Sequence, residues 1–230
     1  MTDDYNYNKF DRHQYDLTEF SGPSIGDPAP DFSALLLDGG NVRLSDYRNS
    51  LTVLEMGSIT CPIYQTRLNG MNQLTHEFPE VQFLVLYVRE AHPGERIGKH
   101  RNLEEKKARA TELEQEFGET RALLIDDLEG TAHGLYGARP NSVFVIDSNG
   151  IVAFRSDWND VSATATALNR LQRGKSARKV HAYFKPATPW IAREVFRHAG
   201  PGAAGDFLRS MPALVGQNMI LRNLKEFLGH

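Results

Sequence analysis

One cysteine in 230 residues, Cys61, limits the redox chemistry open to this chain. No internal disulfide can form, and Tyr64 stands where a Cys-x-x-Cys pair would place its resolving thiol, so a dithiol oxidoreductase is excluded. Long apolar runs are missing, as is a charged-then-apolar leader, so the expected location is the cytoplasm with no membrane partner. GxxxxGKS/T does not occur, and the one GxGxxG, the GPGAAG break at Gly200–Gly205, follows a helical stretch rather than a strand, so neither common nucleotide cradle is expected. No HxH or HxxxH pair occurs, and beside a single cysteine this leaves no metal site expected. A formal net charge of −3 and a pI near 6.2 give no general case for nucleic acid, and the one basic run, KSARKVH at Lys175–His181, does not change that.

What is present is organised around Leu51–Tyr64, LTVLEMGSITCPIY. Leu51–Met56 is a short apolar and β-branched run suited to a buried strand. It breaks at Gly57, passes Ser58 and Thr60, and meets Cys61 before Pro62 opens a helix through Arg67, Met71 and Leu74. A thiol at a helix N-terminus faces unpaired N–H groups and the positive end of the macrodipole, so the expectation is a lowered pKa and a nucleophilic thiolate; the alternative is a lone cysteine that serves as a small buried hydrophobe. Ser58 and Thr60 are expected to bond the sulfur or cap the helix.

Three segments are predicted. Met1–Phe20 is an arm whose Tyr5, Tyr7, Phe10 and Tyr15 either move freely or dock on the body or a second subunit. Residues 21–174 carry the main domain. Pro23, Pro28 and Pro30 bar helix from its lead-in; Phe32–Leu37 and Val42–Leu44 form a hairpin about Asp38–Asn41. Val81–Val88 is a second buried strand, and two strands bracketing the Cys61 helix make a parallel βαβ unit. Arg89–Asn102 is a loop at that strand's carboxyl end, where α/β proteins place ligands. Leu103–Phe117 is an amphipathic helix, Ala122–Ile125 a strand, Ser142–Arg155 a hairpin turning at Asn149-Gly150, and Val161–Arg173 a closing helix. The fold class is therefore α/β: a thioredoxin-like fold with a mixed central sheet, helices on both faces, an N-terminal hairpin extension and a helical C-terminal appendage, Lys175–His230. That appendage has helical stretches at Ile191–His198, Phe207–Leu214 and Met219–Leu228. Their apolar spacing predicts a lid over the site or a homodimer contact.

GSITCP at Gly57–Pro62, EAHP at Glu90–Pro93, HRNLEEK at His100–Lys106 and LYGARPNSVFVID at Leu135–Asp147 together resemble the iodothyronine deiodinases, over roughly Gly26–Leu171. In vertebrates these thioredoxin-fold enzymes carry selenocysteine in a similar GSxT-selenocysteine-Pro context. The resemblance implies that Cys61 takes the place of the selenocysteine, that Glu90 and His92 serve substrate handling and proton transfer, and that His100 is the second family histidine. It implies that Pro140 is the proline, usually cis in this superfamily, opposite the reactive chalcogen. Two departures stand out: sulfur replaces selenium, and Gly94-Glu95-Arg96 replaces the family's DGW.

Independently of the family, a histidine on a loop at the same sheet edge as Cys61 suits a general acid with a pKa near neutrality, and Glu90, two residues earlier, is spaced to orient or protonate His92. His100 and His133 are weaker candidates. Thr60 and Arg139 are positioned in sequence to stabilise negative charge or bind a carboxylate. Two reactions fit: reductive dehalogenation of a small haloaromatic, with sulfur attacking halogen, and peroxide reduction through a sulfenic acid. Leu54 stands where peroxiredoxins keep a proline, against a standard member. A third reading keeps the fold as a redox-sensing or binding module without turnover. No cofactor is expected; both reactions need an external thiol reductant, either a small thiol or thioredoxin, or Cys61 of another subunit.

Overall fold

The computed structural model describes residues 5–17 and 19–228. The opening Met1–Asp4 of the arm, Thr18 within it and the last two residues of the appendage lie outside the described residues.

β3 (Thr52–Gly57) and β4 (Gln82–Tyr87) run parallel in full register, Thr52 opposite Gln82 and Gly57 opposite Tyr87, joined by α1 (Pro62–Glu77). β5 (Ala122–Ile125) pairs parallel to β4 after α2 (Leu103–Phe117). β6 (Val143–Ile146) lies antiparallel to β3, and β7 (Val152–Ser156) antiparallel to β6. This βαβ unit followed by a β-hairpin and α4 (Val161–Gln172) is the thioredoxin-like arrangement. The N-terminal hairpin, β1 (Ser33–Leu36) and β2 (Asn41–Arg43), continues the same sheet, because β1 pairs antiparallel with β5; the strand order is β2-β1-β5-β4-β3-β6-β7.

Both faces of the central strands are covered, which is why they read as continuous apolar runs. Leu54, Met56, Leu84, Leu86 and Phe144 pack with Phe32, Tyr136 and Ala132, the last from the short α3 (Thr131–Leu135). On the opposite face, Val53, Phe83 and Val145 meet α1 and α4 through Met71, Leu74 and Leu168, while Val85 and Tyr87 meet α1 and α2 through Leu68 and Leu113. Glu55 interrupts the pattern as a fully buried carboxylate in the middle of the sheet. It is held by Arg121 and by the amides of Asn141 and Asn159, each at 2.7 Å, so its charge is paired and hydrogen-bonded.

Beyond α4 the chain crosses to the carboxyl end of the parallel strands and forms α5 (Pro189–Ala199) and α6 (Ala203–Leu214). A π-helical stretch, Val215–Arg222, runs on into α7 (Asn223–Leu228). The separate helical stretches expected at 207–214 and 219–228 are thus one rod that widens just after Pro212, which removes a donor from the last turn of α6. Among the described residues no helix is long and apolar enough to cross a membrane.

Candidate active site

Cys61 is the N-cap of α1 with Pro62 at the first helical position, as the sequence requires. Its N–H donates to Ser58 O at 3.1 Å, which closes the turn out of β3. The ring of Tyr64 lies against Gly57 so closely that a Cβ there would overlap it, so glycine at 57 is needed for space. Tyr64 in turn donates to Glu119 on the far side of α1.

The thiol is buried, and this corrects the expectation of a lowered pKa. Burial pushes it up to about 12, against the opposing pull of the first-turn N–H groups of Tyr64 and Ile63. No side-chain bond caps the helix, so these amides act on the sulfur as nearby dipoles, too weakly to offset the loss of water. The hydroxyls nearby are spoken for. Ser58 Oγ accepts from Ala91 N at 3.2 Å, and Thr60 Oγ1 donates to Glu90 at 2.5 Å, so neither bonds the sulfur or caps the helix as expected.

Glu90 is the knot between the Cys61 turn and the loop after β4. Its carboxylate accepts from Thr60 N (3.1 Å), Thr60 Oγ1, Tyr87 Oη (2.6 Å) and His100 Nε2 (2.9 Å), which saturates both oxygens. Burial favours the neutral acid, but these donors, His100 foremost, outweigh it and hold the pKa below the usual glutamate range. The expected Glu90–His92 pair is therefore corrected: Glu90 is committed to His100, Thr60 and Tyr87, and its role is to fix the loop.

His92 turns the other way, into an aromatic box. Phe10 lies 4.2 Å from its ring centroid, Phe207 5.3 Å and Phe196 5.5 Å, and its buried Nδ1 has no hydrogen-bond partner. Burial among these rings pushes its pKa down to about 3. At neutral pH it is an uncharged imidazole, which corrects the expectation of a general acid titrating near neutrality.

The arm supplies Phe10 because it is clamped. The Arg89 guanidinium sits over the rings of Tyr5, Tyr7 and Tyr15 at 4.9, 5.0 and 4.6 Å and donates to Tyr5 O (2.8 Å) and Gln14 O (2.6 Å). Tyr7 donates to Ala91 O at 2.7 Å, tying the arm to the residue before His92. The tyrosines thus dock on the body.

Arm, Cys61 loop and C-terminal rod enclose a cavity of about 410 Å³. Cys61, Pro62 and Ile63 form its floor and His92 and Phe10 one wall. Pro140 and Trp158 are on its border, and Phe184, Phe207, Met211 and Leu214 come from the appendage. Pro140 lines the cavity as implied, but its peptide bond is trans. Arg139 does not line it: it is buried, donates through Nη2 to Glu19 O (2.9 Å) and leaves Nε and Nη1 without partners. The carboxylate-binding role expected of it has no geometric support. His133 is remote; Nε2 donates to Arg139 O and Nδ1 accepts from Tyr5, each at 2.8 Å, so it braces the chain beneath the arm.

The family model for iodothyronine deiodinase matches residues 5–159. The chain belongs to the iodothyronine deiodinase family. It is 31% identical over 175 residues to the thyroxine 5-deiodinase of Bos taurus, covering 69% of this chain and 58% of that protein. It therefore spans under two-thirds of that relative's length. Solved structures share the fold: a putative thiol:disulfide interchange protein DsbE from Chlorobium tepidum (TM-score 0.51, 22% identity, 65% of this chain and 96% of that one) and a thiol peroxidase from Chromobacterium violaceum (TM-score 0.51, 15% identity, 66% and 90%).

The deiodinase-family match begins at residue 5, inside the arm that the motif reading leaves outside the resemblance, and the arm's contribution to the site is what sequence reasoning missed. The clustering of Tyr5, Tyr7, Phe10 and Tyr15 is its one visible signal. Phe207 and Met211 belong to the apolar stretch Phe207–Leu214 expected as a lid or a homodimer contact, and they border the cavity; Trp158, between β7 and α4, carried no signal.

Proposed function

We propose that this deiodinase-family chain is a thiol-dependent enzyme that removes halogen reductively from a small aromatic compound bound against Cys61. The observation that carries this is one cavity, apolar and rich in aromatic side chains, bordered by both Cys61 and His92. At about 410 Å³ it falls within the roughly 300–1,000 Å³ of small-molecule sites. Such a lining favours an aryl substrate over hydrogen peroxide, which needs polar partners.

The resting state is a neutral thiol and a neutral imidazole bordering one cavity, and the reaction balances from there. Cys61 sulfur attacks the halogen; the S–halogen bond forms, the carbon–halogen bond breaks, and its electron pair goes to the ring carbon. The thiol proton passes to His92 and on to that carbon, giving Cys61–SH + Ar–X → Cys61–S–X + Ar–H. An imidazole with a pKa of about 3 is a weak base but, once protonated, a strong acid, which suits delivery to carbon. An external thiol then displaces halide from the sulfenyl halide, and a second thiol resolves the mixed disulfide and restores Cys61.

Iodide release from iodinated phenols with excess dithiothreitol tests the reading. Cys61→Ser is expected to abolish release, and His92→Ala to slow it on the order of 100-fold, as loss of general acid–base catalysis does. Full activity in either variant sinks the assignment.

A further inference from the structure

We infer that the cavity takes a halogenated aromatic compound bearing no ionised group, and discriminates against one that carries an amino-acid zwitterion or a carboxylate. This rests on the dehalogenation reading and narrows its substrate.

Among the described residues bordering the cavity, none is Lys, Arg, Asp or Glu. Four polar side chains face it: Cys61, His92, Tyr15 and Asn218. Two are already engaged. Tyr15 Oη shares a hydrogen bond with Tyr7 Oη at 2.9 Å, and Asn218 accepts from Trp158 Nε1 at 3.0 Å while donating to Leu214 O at 3.1 Å. Cys61 is an uncharged thiol, and His92 is an uncharged ring with a buried, unpartnered Nδ1. The buried cations around it lie outside the lining and are engaged: Arg139 is turned to Glu19 O, Arg89 donates to Tyr5 O and Gln14 O beneath the tyrosine rings, and Arg67 donates to Asn159 O and Lys185 O.

An ammonium or carboxylate entering this space gives up its hydration and meets no opposite charge, so its desolvation is not offset. A haloaryl ring loses little water and gains contact with Phe10, Phe207 and Met211, surfaces suited to a polarisable ligand. A single hydroxyl on the ring has one suitable partner in His92.

The test compares two ligands with the same ring, ortho-iodo-para-cresol and mono-iodotyrosine, in the full-length protein with Cys61→Ser, so that binding is read apart from turnover. The chain has two tryptophans, Trp158 on the cavity and Trp190, 70% exposed, so Trp190→Phe leaves Trp158 as sole reporter and iodine quenches it on binding. Near-ultraviolet circular dichroism checks that the variant is folded. At neutral pH the cresol is expected to bind on the order of 100-fold more tightly than the amino acid. A second variant works in the opposite sense. Met219 is on the cavity border and 41% exposed, so Met219→Arg adds a cation without burying it. It is expected to improve binding of the matching iodinated phenylpropionate about tenfold and leave the cresol unchanged. Equal or tighter binding of mono-iodotyrosine to the parent protein, or no quenching by either ligand, overturns the inference. Tight cresol binding without iodide release from the Cys61 protein leaves it standing and rejects the dehalogenation reading instead.

Discussion

Cys61 and His92 illustrate how burial overrules position. A cysteine ahead of Pro62 at a helix start reads as an acidic thiol, yet burial raises it to about 12. Alkylation of Cys61 by iodoacetamide, followed by mass, is accordingly expected to stay slow through neutral pH and to rise only well above the free-thiol value of about 8.5; an apparent pKa below that value contradicts the assignment. For His92 the linkage runs toward acid sensitivity. Its folded pKa of about 3 lies below the ordinary value of 6.5, so between these two the unfolded chain binds a proton that the folded chain refuses, and stability falls as pH drops from 6.5. His92→Phe keeps a ring in the box formed by Phe10, Phe196 and Phe207 and removes that titration. Its acid-unfolding midpoint, read by circular dichroism, should move to lower pH; an unchanged midpoint would mean that His92 is hydrated. Glu90 has the opposite sign from a raised group: its folded pKa is depressed, so its contribution is complete above the glutamate range and is lost as pH falls below it.

At the level of elements, the loop after β4 and the N-terminal arm behave as one assembly. Glu90 fixes the loop from inside through Thr60, Tyr87 and His100, and Arg89, its neighbour in sequence, clamps the arm from outside through three tyrosines and two carbonyls. Alternation along the chain sends the two side chains to opposite sides. Arg89→Ala removes the cation–π contacts, each contributing roughly 0.5–2 kcal/mol, and frees the arm that carries Phe10. The expected result is rapid proteolytic trimming of the first twenty or so residues, faster alkylation of Cys61 and a raised KM. An arm equally resistant to protease in the variant would show that Tyr7, Phe10 and Tyr15 hold it unaided.

Across the whole molecule, the thioredoxin-like body supplies the Cys61 thiol, while the arm and the C-terminal rod supply most of the walls of the cavity beside it. The rod is pinned at a few places. Asn223 pairs with both backbone groups of Phe184, accepting from its N–H at 2.7 Å and donating to its carbonyl at 3.0 Å. Arg67 on α1 donates to Asn159 O at 3.2 Å and Lys185 O at 2.5 Å. Phe184 borders the cavity, so Asn223→Ala, which removes two hydrogen bonds of about 1 kcal/mol each, should loosen the roof. Water then reaches the thiol, and its alkylation pKa moves down toward the free value without loss of the body's fold. A thiol unchanged in that variant would place the source of its burial in the arm instead.

How much of this was legible in the sequence follows from the range of the forces involved. Local ones were: the apolar runs of the strands, the Asn149-Gly150 turn, the Pro62 helix start and the amphipathic run Leu103–Phe117 of α2 are set by near neighbours, and the sequence reading finds them. The motifs also identified Cys61, Glu90, His92 and His100 as one constellation. Their division of labour was not legible, because it depends on which way each side chain faces. Glu90 and His92 are two residues apart, but one meets a histidine, a tyrosine and a threonine, and the other meets phenylalanines from positions 10, 196 and 207. The sequence by itself determined the sheet, the thiol's place at the end of β3 and the family motifs. Only the tertiary structure decided that the thiol and imidazole are both uncharged and enclosed, since desolvation is a property of everything packed around a group, including segments more than a hundred residues away.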